Sequence, residues 1–279
     1  MKTLLLAGTL LFFWADTSFS AAAPEVTCGA TLSGRKFTLS ADLDCRTSAA
    51  PITLINKGQL DLNGHTIFGL VVQDGEGTQV RNGRIDCVFV PDVCLTIQGK
   101  GGHTLENVLV QHGIYMTVGM TANNNRLINN TANGSELYGF SIEGNNNIIQ
   151  GNIALGSQYG FVISGHGNQL IGNSGTGNVD DFRLFGDSNF VRQNTASSVS
   201  RLPEAVGFGI YGDNNRVVRN VVANSSLNFL GVAIKAGGQN NSLSENLAPD
   251  QTLEDLNINC DSNTWTENVF GTANQNCIH

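Results

Sequence analysis

The residues of this chain that most suggest chemistry are two consecutive acids, Asp180 and Asp181, with Arg183 two positions further on. Glycoside hydrolysis uses paired carboxyl groups, since one protonates the leaving oxygen while the other acts as base or nucleophile. The same three residues also fit an ordinary solvated salt bridge on a protein surface. Both interpretations stay open at the sequence level, and Asp180, Asp181 and Arg183 are candidate catalytic residues.

Aromatic and charged side chains recur at matching offsets around this trio. Two tyrosines stand just ahead of short apolar runs, at the offset that Asp180 occupies before its own run. An acid, a third tyrosine and a lysine stand just behind such runs. Aromatic rings stack on the apolar face of a pyranose, while ionic groups bind its hydroxyls or carboxylates. The pattern predicts a sugar-binding surface made by Tyr138, Glu143, Tyr159, Tyr211 and Lys235.

These side chains can meet only if the chain returns to the same place at regular intervals, and the sequence does repeat. The pattern Asn-x-apolar-x-x-Asn starts every 19 to 26 residues, with Gly replacing the first Asn in the upstream copies. Such a period, kept along most of the chain, indicates a stacked-repeat architecture. The starts are Gly58, Gly77, Gly102, Asn125, Asn147, Asn168, Asn189, Asn215, Asn241 and Asn263.

Each repeat holds two short apolar runs separated by Gly and Asn. Runs such as Phe161-Val-Ile163 alternate with period two, which is typical of strands, and no segment keeps a helical period without interruption. We predict that each repeat is one coil of a parallel β-helix. Asparagines would then stack into a ladder whose side-chain amides bond to neighbouring coils. The predicted fold is an all-β, single-domain parallel β-helix of about ten coils over residues 51–270.

The stacked asparagines, the short strands and the segment from Asp61 to Thr66 resemble right-handed parallel β-helix repeat proteins of the pectin-lyase-like superfamily. The resemblance covers about residues 50–270 and implies a right-handed coil. It also implies chemistry on uronates, because lyases and epimerases of this superfamily use an acid with calcium and an arginine base. In that scheme Asp180 and Asp181 would hold calcium through oxygen ligands. Arg183 would then remove the proton next to the uronate carboxylate.

Residues 1–23 are predicted to be a secretory signal, since Lys2 precedes an apolar core and small residues follow it. An even number of cysteines in an exported chain indicates disulfides. Local pairing is the simplest arrangement and predicts Cys28–Cys45, Cys87–Cys94 and Cys260–Cys277. The first and last pairs would close an N-terminal cap, 24–50, and a C-terminal cap, 250–279. We expect a secreted or extracellular protein, which in a bacterium would be periplasmic or on the cell surface.

Net charge and hydropathy indicate which classes of partner the protein can bind. The net charge is −8 and no run or stripe of basic residues occurs, which argues against nucleic acid and anionic membranes as partners. Beyond the signal no apolar stretch approaches the length of a membrane span, so we expect no membrane insertion. The longer repeats carry extra residues at 197–205 and 224–230, where binding loops are often built. We expect a monomer.

Two classes of function remain. The first is engagement of an extracellular or cell-wall polysaccharide, with uronate-polymer lyase or C5-epimerase as the candidate activities and calcium as the one candidate cofactor. The alternative is a non-catalytic extracellular scaffold, adhesive or envelope-associated. No complete catalytic signature is present, which favours the scaffold over any one named enzyme.

Overall fold

The computed structural model describes residues 25–48, 50–88, 93–197, 205–223, 232–260 and 262–279. They form a parallel β-solenoid of about ten turns, and each turn contributes strands to three faces. Every strand pairs in parallel with the strand one turn away, so the predicted all-β parallel β-helix is confirmed. The predicted signal, 1–23, and most of the two predicted loops lie outside the described residues.

Strands of one face stack in register along the solenoid. Face 1 contains β1 (Thr31–Ser33), β4 (Ile52–Ile55), β7 (Val71–Gln73), β9 (Val93–Ile97), β11 (Met116–Met120), β14 (Tyr138–Ile142), β17 (Tyr159–Ile163), β20 (Asp180–Leu184), β23 (Val206–Ile210) and β26 (Val232–Ala236). Face 2 contains β2 (Lys36–Thr38), β5 (Gln59–Asp61), β12 (Arg126–Ile128), β15 (Ile148–Gln150), β18 (Gln169–Ile171), β21 (Phe190–Arg192), β24 (Arg216–Val218), β27 (Ser242–Ser244) and β29 (Thr264–Thr266). Face 3 contains β3 (Leu43–Asp44), β6 (Thr66–Phe68), β13 (Thr131–Asn133), β16 (Ile153–Leu155), β19 (Ser174–Thr176), β22 (Thr195–Ser197) and β25 (Val221–Val222).

Four strands bend from one face into the next. β8 (Gln79–Asp86) and β10 (Thr104–Gln111) run from face 2 into face 3. β28 (Leu247–Asp255) and β30 (Val269–Ala273) run from face 3 into face 1. A short 3₁₀ helix, Ile258–Cys260, follows β28, and no α-helix occurs in the described ranges. None of the described helical structure is long and apolar enough to cross a membrane.

The core is a stack of identical side chains, as the period-two runs predict. Phe140, Phe161, Phe182 and Phe208 are fully buried inside face 1, and successive ring centroids lie 4.9, 4.8 and 4.6 Å apart. This spacing equals the separation of adjacent strands, because each ring lies directly above the previous one. Aliphatic residues from faces 2 and 3 complete the core. Burial of these columns is the main force holding the coils together.

Asparagines, all buried except Asn268, line the corner between faces 2 and 3, which we call the 2–3 ladder: Asn130, Asn152, Asn173, Asn194, Asn220, Asn246 and Asn268. After the first member, each Oδ1 accepts from the backbone N–H and the Nδ2 of the previous one; Asn173 Oδ1 lies 2.9 and 3.1 Å from these two atoms of Asn152. Asn173 Nδ2 donates in turn to the Ile149 carbonyl and to Asn194 Oδ1. The ladder therefore satisfies the corner's backbone groups without water.

A second column, the 1–2 ladder, lies between faces 1 and 2: Asn125, Asn147, Asn168, Asn189, Asn215, Asn241 and Asn263. Its Oδ1 atoms accept the backbone N–H of the previous member, as from Asn147 to Asn168 at 2.8 Å. In the middle of this column the buried Nδ2 atoms of Asn147, Asn168, Asn189 and Asn215 have no partner among the described residues. The predicted bonding between side-chain amides thus holds fully in the 2–3 ladder and only partly here.

In the three upstream copies of the repeat pattern, the asparagine that the pattern assigns to the ladder lies just before the ladder position. Asn63, Asn82 and Asn107 are exposed and have positive φ, so they occupy the left-handed corner and not the buried ladder. The buried place in the 2–3 ladder is taken by a following residue, and after Asn107 this is Val108, whose backbone N–H donates to Asn130 Oδ1 at 3.0 Å. The error arose because Asn suits both the ladder and the adjacent left-handed position.

Both ends and one turn carry disulfides. Cys28–Cys45, Cys87–Cys94 and Cys260–Cys277 are all formed, so the predicted local pairing is confirmed. Disulfides of this kind are typical of oxidising compartments outside the cytosol. Residues 31–44 already form β1, β2 and β3, so a coil with all three faces stands within the segment predicted as the N-terminal cap.

Candidate functional site

Most of the predicted site residues lie on the outer surface of face 1. Because strand partners are in register, equivalent positions of successive coils form columns that run along the solenoid. One column contains Met116, Tyr138, Tyr159, Asp180 and Val206. The next contains Gly119, Ser141, Val162, Arg183, Gly209 and Lys235. We call the line of side chains Tyr115, Tyr138, Tyr159, Arg183 and Tyr211 the aromatic strip.

The first part of the aromatic strip is three tyrosines. The rings of Tyr138 and Tyr159 stack with centroids 5.5 Å apart, and Tyr115 meets Tyr138 edge-on at 5.7 Å. Tyr115 is 47% exposed and the other two are partly exposed. Burial raises the pKa of the Tyr138 hydroxyl, and the neighbouring tyrosines Tyr115 and Tyr159 add to this shift. The Tyr138 hydroxyl therefore stays protonated and serves as a hydrogen-bond donor at neutral pH.

Arg183 follows the tyrosines and is held from two sides. Its guanidinium lies 4.5 Å from the centroid of the Tyr159 ring, in a cation–π contact. Its Nε and Nη2 both bond to Oδ2 of Asp180, while Oδ1 of Asp180 accepts the backbone N–H of Val206 at 2.8 Å. Only 1% of the Asp180 side chain is exposed, against 29% for Arg183. Asp180 is thus a buried anchor, and Arg183 presents a fixed cation to solvent.

Beyond Arg183 the strip continues with a second aromatic pair. Phe185, 48% exposed, stacks on Tyr211 with the ring centroids 5.2 Å apart. The Tyr211 ring lies across Gly209, where an added Cβ would be 2.7 Å from the ring. Burial raises the pKa of Tyr211, and the nearby cations Arg183 and Lys235 oppose that shift. Glycine at position 209 is therefore what allows the ring to lie flat against the face.

Asp181 does not project from the surface, and the expectation that it does is wrong. It is fully buried inside the coil, where its Oδ1 accepts from Asn178 Nδ2 at 2.8 Å. The carboxyl occupies space left by Gly175, since a Cβ there would lie 2.5 Å from the Asp181 Cβ. Burial raises the pKa of Asp181 to about 7, while hydrogen bonds from Asn178 and the Ser197 backbone oppose the shift. Asp181 therefore cannot touch a ligand on face 1.

The remaining predicted residues lie around the strip. Lys235 stands in the column of Arg183 and Gly209 and forms an ion pair with Glu254 at 3.2 Å. The offsets in the sequence predict that Lys235 shares the column of Tyr211. The strand pairing differs from this prediction by two residues, because Lys235 is the partner of Gly209. Glu143 is exposed in the column of Phe185 and Tyr211, two coils before Phe185. It therefore borders the strip and is not part of its centre.

Sequence reasoning left two site residues out of its predicted set. Tyr115 belongs to the coil before Tyr138, and Phe185 follows the Asp180 strand directly. Phe185 was within reach of the offset argument, because it shares the position of Glu143 and Tyr211. The offset argument could not identify Tyr115, because Tyr115 lies one residue ahead of its strand and contacts Tyr138 only through the stacking of coils.

The acids of this face do not form a metal site. No group of three or more His, Cys, Asp or Glu side chains that could hold a metal ion occurs in the part of the chain that the structure describes. The Asp180 carboxylate is bonded to Arg183, and the Asp181 side chain lies on the opposite side of the strand. The two consecutive acids therefore cannot bind one calcium ion together, because Asp180 is bonded to Arg183 on the outer side of the strand and Asp181 is buried inside the coil.

A separate polar cluster lies at the edge of face 3. Asp86 is buried and its Oδ1 lies 2.9 Å from Nδ1 of His112, while its Oδ2 pairs with Arg84 and accepts from Gln111. Burial works against ionisation of Asp86, but the bonds from His112 and Arg84 outweigh it and lower its pKa. The sequence showed no acid partner for His112, since the two residues are a full coil apart.

Comparisons with known proteins give the fold and no family. No protein-family model matches the chain. No curated protein matches it either. Among solved structures, the Dettilon tailspike protein (gp208) is similar with a TM-score of 0.56 and 13% identity, over 89% of this chain and 60% of that one. The A-module of the mannuronan C-5 epimerase AlgE6 from Azotobacter vinelandii gives a TM-score of 0.41 and 16% identity, over 88% and 87% of the two chains. This chain thus spans less than two thirds of the tailspike chain.

Proposed function

We propose that face 1 binds a linear, uronate-containing polysaccharide along the aromatic strip, and that the protein acts as a non-hydrolytic binder outside the cell. The observation that carries the proposal is the placement of Arg183, which Asp180 holds over the Tyr159 ring between two aromatic pairs. An immobilised guanidinium matches the geometry of a carboxylate, and its ordering costs little on binding.

The strip also suits the shape of a polymer. Tyrosine rings offer apolar surface to the sugar rings and hydroxyl groups to their substituents. Successive strip residues come from successive coils, so the strip extends by about 4.8 Å per residue. From Tyr115 to Tyr211 this spans four coil steps, roughly 20 Å, which gives room for several sugar units. A carboxylate bound at Arg183 would place one neighbouring sugar against the edge and hydroxyl of Tyr159, whose ring face Arg183 covers, and the other against the Tyr211–Phe185 pair.

The same geometry argues against the catalytic assignment of the acid pair. A general acid or base must reach the substrate, and neither Asp180 nor Asp181 is exposed. Arg183 donates from its Nε and Nη2 to Asp180, which makes it a binding cation in this proposal and not a base. Asp180 is then a positioning residue, since it acts through Arg183.

Binding to defined oligosaccharides tests the proposal. Calorimetry with oligouronates and with neutral oligosaccharides of equal length should show a preference for the uronates that weakens with salt. Tyr138→Ala with Tyr159→Ala should reduce affinity by about tenfold to a hundredfold, since each stacked ring contributes roughly 1 kcal/mol or more. Gln169→Ala, an exposed residue on face 2, is the matched control and should bind as the parent does.

Arg183 needs a paired design because its removal exposes a buried acid. Arg183→Ala alone should destabilise the fold by about 3 kcal/mol, since Asp180 loses its guanidinium. The double variant Asp180→Asn with Arg183→Ala should recover part of that stability and still fail to bind uronates. Uronate binding by the folded double variant would contradict the proposal. Release of unsaturated uronates, or epimerised product, with or without calcium would show an enzyme instead of a binder.

A further inference from the structure

Stacking of coils assembles a basic stripe on face 2 that no stretch of the sequence contains. From β12 to β27 the outward positions form two columns. One reads Arg126, Ile148, Gln169, Phe190, Arg216 and Ser242. The other reads Ile128, Gln150, Ile171, Arg192, Val218 and Ser244. No acidic residue occurs at these positions, although the chain carries a net charge of −8.

The three arginines of this stripe differ from other cations of the same face. Lys36 and Arg81 both pair with Asp61, and Arg219 pairs with Glu245. By contrast, Arg126, Arg192 and Arg216 form no ion pair with any residue that the structure describes. The charges of Arg192 and Arg216 are therefore not neutralised locally and give this part of the face a positive potential, whereas Glu106, the strand partner of Ile128, stands one coil from Arg126.

Arg192 and Arg216 lie close together. Phe190 is the strand partner of Arg216, and Arg192 is two residues further along the strand of Phe190. Their Cα atoms are consequently roughly 8 Å apart, from one strand spacing and two residue steps. The Arg216 guanidinium lies 5.4 Å from the centroid of the Phe190 ring, which holds it against the face. Two guanidinium groups at this separation can bind one oxyanion or two adjacent ones.

Aliphatic side chains fill the space between the arginines. Ile128, Ile148 and Ile171 are partly exposed and stand in adjacent coils. The one aromatic ring of these columns, Phe190, is covered by Arg216, so no open ring is available for stacking on a sugar. The stripe thus combines cations with aliphatic surface on flat strands, and this combination differs from the aromatic strip on face 1.

We infer that face 2, between Arg126 and Arg216, docks onto a lipid surface that carries phosphate headgroups. Guanidinium groups bind phosphate oxygens bidentately, and the isoleucines contact the boundary between headgroups and acyl chains. The contact is peripheral, because the strands of face 2 lie along the lipid surface and no segment enters the bilayer. Each arginine near an anionic leaflet raises the binding constant about fivefold. Face 1 stays free of this contact, so the inference does not depend on the proposed function.

Sedimentation with vesicles tests this inference. The mature chain should bind vesicles of phosphatidylglycerol with phosphatidylcholine, and binding should fall as salt rises from low ionic strength. Phosphatidylcholine vesicles alone should not bind it. Arg192→Ala with Arg216→Ala should weaken binding to the anionic vesicles by about twentyfold. The matched control, Lys100→Ala with Arg219→Ala, removes the same total charge from exposed sites outside the two columns and should retain most binding.

Three results would overturn the inference. One is absence of binding to the anionic vesicles at low salt. Another is equal loss in the control, which would assign the effect to net charge. A third is binding to soluble dextran sulfate without binding to vesicles, which would assign the stripe to a soluble polyanion. Thermal melting of each variant establishes that loss of binding does not reflect unfolding, since these arginines make no buried contact with an acid.

Discussion

Asp180 and Asp181 are neighbours in sequence, yet they have different environments. Asp180 faces outward and is paired with Arg183, while Asp181 lies inside the coil beside Gly175 and Asn178. The reason is a break in the alternation of this strand, since Asp181 and Phe182 are both fully buried inside the coil while Asp180 and Arg183 pair on its outer side. Asp180 and Asp181 therefore cannot act together on one ligand, although they are consecutive. Their separate roles are anchoring of a cation and occupation of a small buried space.

The buried carboxyl of Asp181 should make stability depend on pH. Its pKa is about 7 in the folded protein and 3.8 when exposed, so the folded state holds this proton more tightly. The stabilisation is complete below the unfolded pKa and is lost as pH rises through the folded one. Between pH 5 and pH 8 the free energy of unfolding should fall by about 2–3 kcal/mol from this group.

Denaturant unfolding at several pH values checks this expectation. Asp181→Asn should remove that part of the pH dependence, because the amide keeps the size of the carboxyl and does not ionise. Glu136→Gln, at an exposed acid two coils away, serves as the control and should leave the profile unchanged. Identical profiles for the parent and Asp181→Asn would mean that the carboxyl is hydrated and titrates normally.

At the scale of a strand and its corner, repetition of small polar residues allows the coils to stack. The 2–3 ladder satisfies both hydrogen-bonding atoms of each amide, whereas the middle of the 1–2 ladder leaves its Nδ2 atoms unpaired. Identical residues can therefore differ in energetic value according to the corner that they occupy. The difference follows from how many partners the neighbouring coils supply.

Replacement of one asparagine from each ladder measures that difference. Asn173→Leu removes four hydrogen bonds and leaves the Asn152 N–H without its acceptor, so it should cost about 3 kcal/mol. Asn168→Leu removes one bond, to the N–H of Asn147, and also removes an unpaired amide, so about 1 kcal/mol is expected. Urea unfolding of both variants gives the comparison. Equal losses would contradict the partner argument.

Glycines at the corner that follows face 1 stack just as the asparagines do. A Cβ at Gly165 would lie 1.9 Å from the carbonyl oxygen of Gly144 in the previous coil. Gly165→Ala should therefore cost about 3 kcal/mol or more, because the backbone of two coils must separate. Gly172 has positive φ but open space around it, so Gly172→Ala should cost only about 1–2 kcal/mol. Thermal unfolding that ranks Gly172→Ala as the worse variant would refute this account of the corner.

The whole molecule is a one-dimensional stack, and its ends are its weakest parts. Internal coils have partners on both sides, whereas a terminal coil has one. The disulfides Cys28–Cys45 and Cys260–Cys277 close the terminal segments, where loss of contacts would begin. Cys87–Cys94 spans only seven residues within the stack and constrains the chain less.

Removal of the C-terminal disulfide should loosen one end and leave the middle intact. Replacing Cys260 and Cys277 by Ser should cost about 2–4 kcal/mol and raise amide exchange in β28 to β30. Exchange in β14 to β20 should not change, since those coils are several strands away. Hydrogen-exchange mass spectrometry resolves the two regions. Uniform exchange along the chain would indicate that the solenoid unfolds as a single cooperative unit.

The sequence alone determined the parallel β-helix, because the repeat period and the alternating apolar runs are local properties of the sequence. It also determined the disulfide pairs, since each pair is close in sequence. The buried Phe140 to Phe208 column followed from the same offsets. The prediction was wrong where one residue type suits two different backbone positions. Asn at 63, 82 and 107 satisfies a left-handed corner as readily as a ladder, so the register slipped by one residue.

Only the tertiary structure decided which side chains share a surface. The break in alternation at Asp181 and Phe182 left Asp181 inside the coil and Arg183 outside, and coil stacking brought Arg183 over Tyr159 from a separate turn. The unpaired arginines of face 2 come from positions 126, 192 and 216, and no sequence window contains all three. The physical reason is that each coil adds about 4.8 Å to the stack while consuming more than twenty residues, so surface neighbours are distant in sequence.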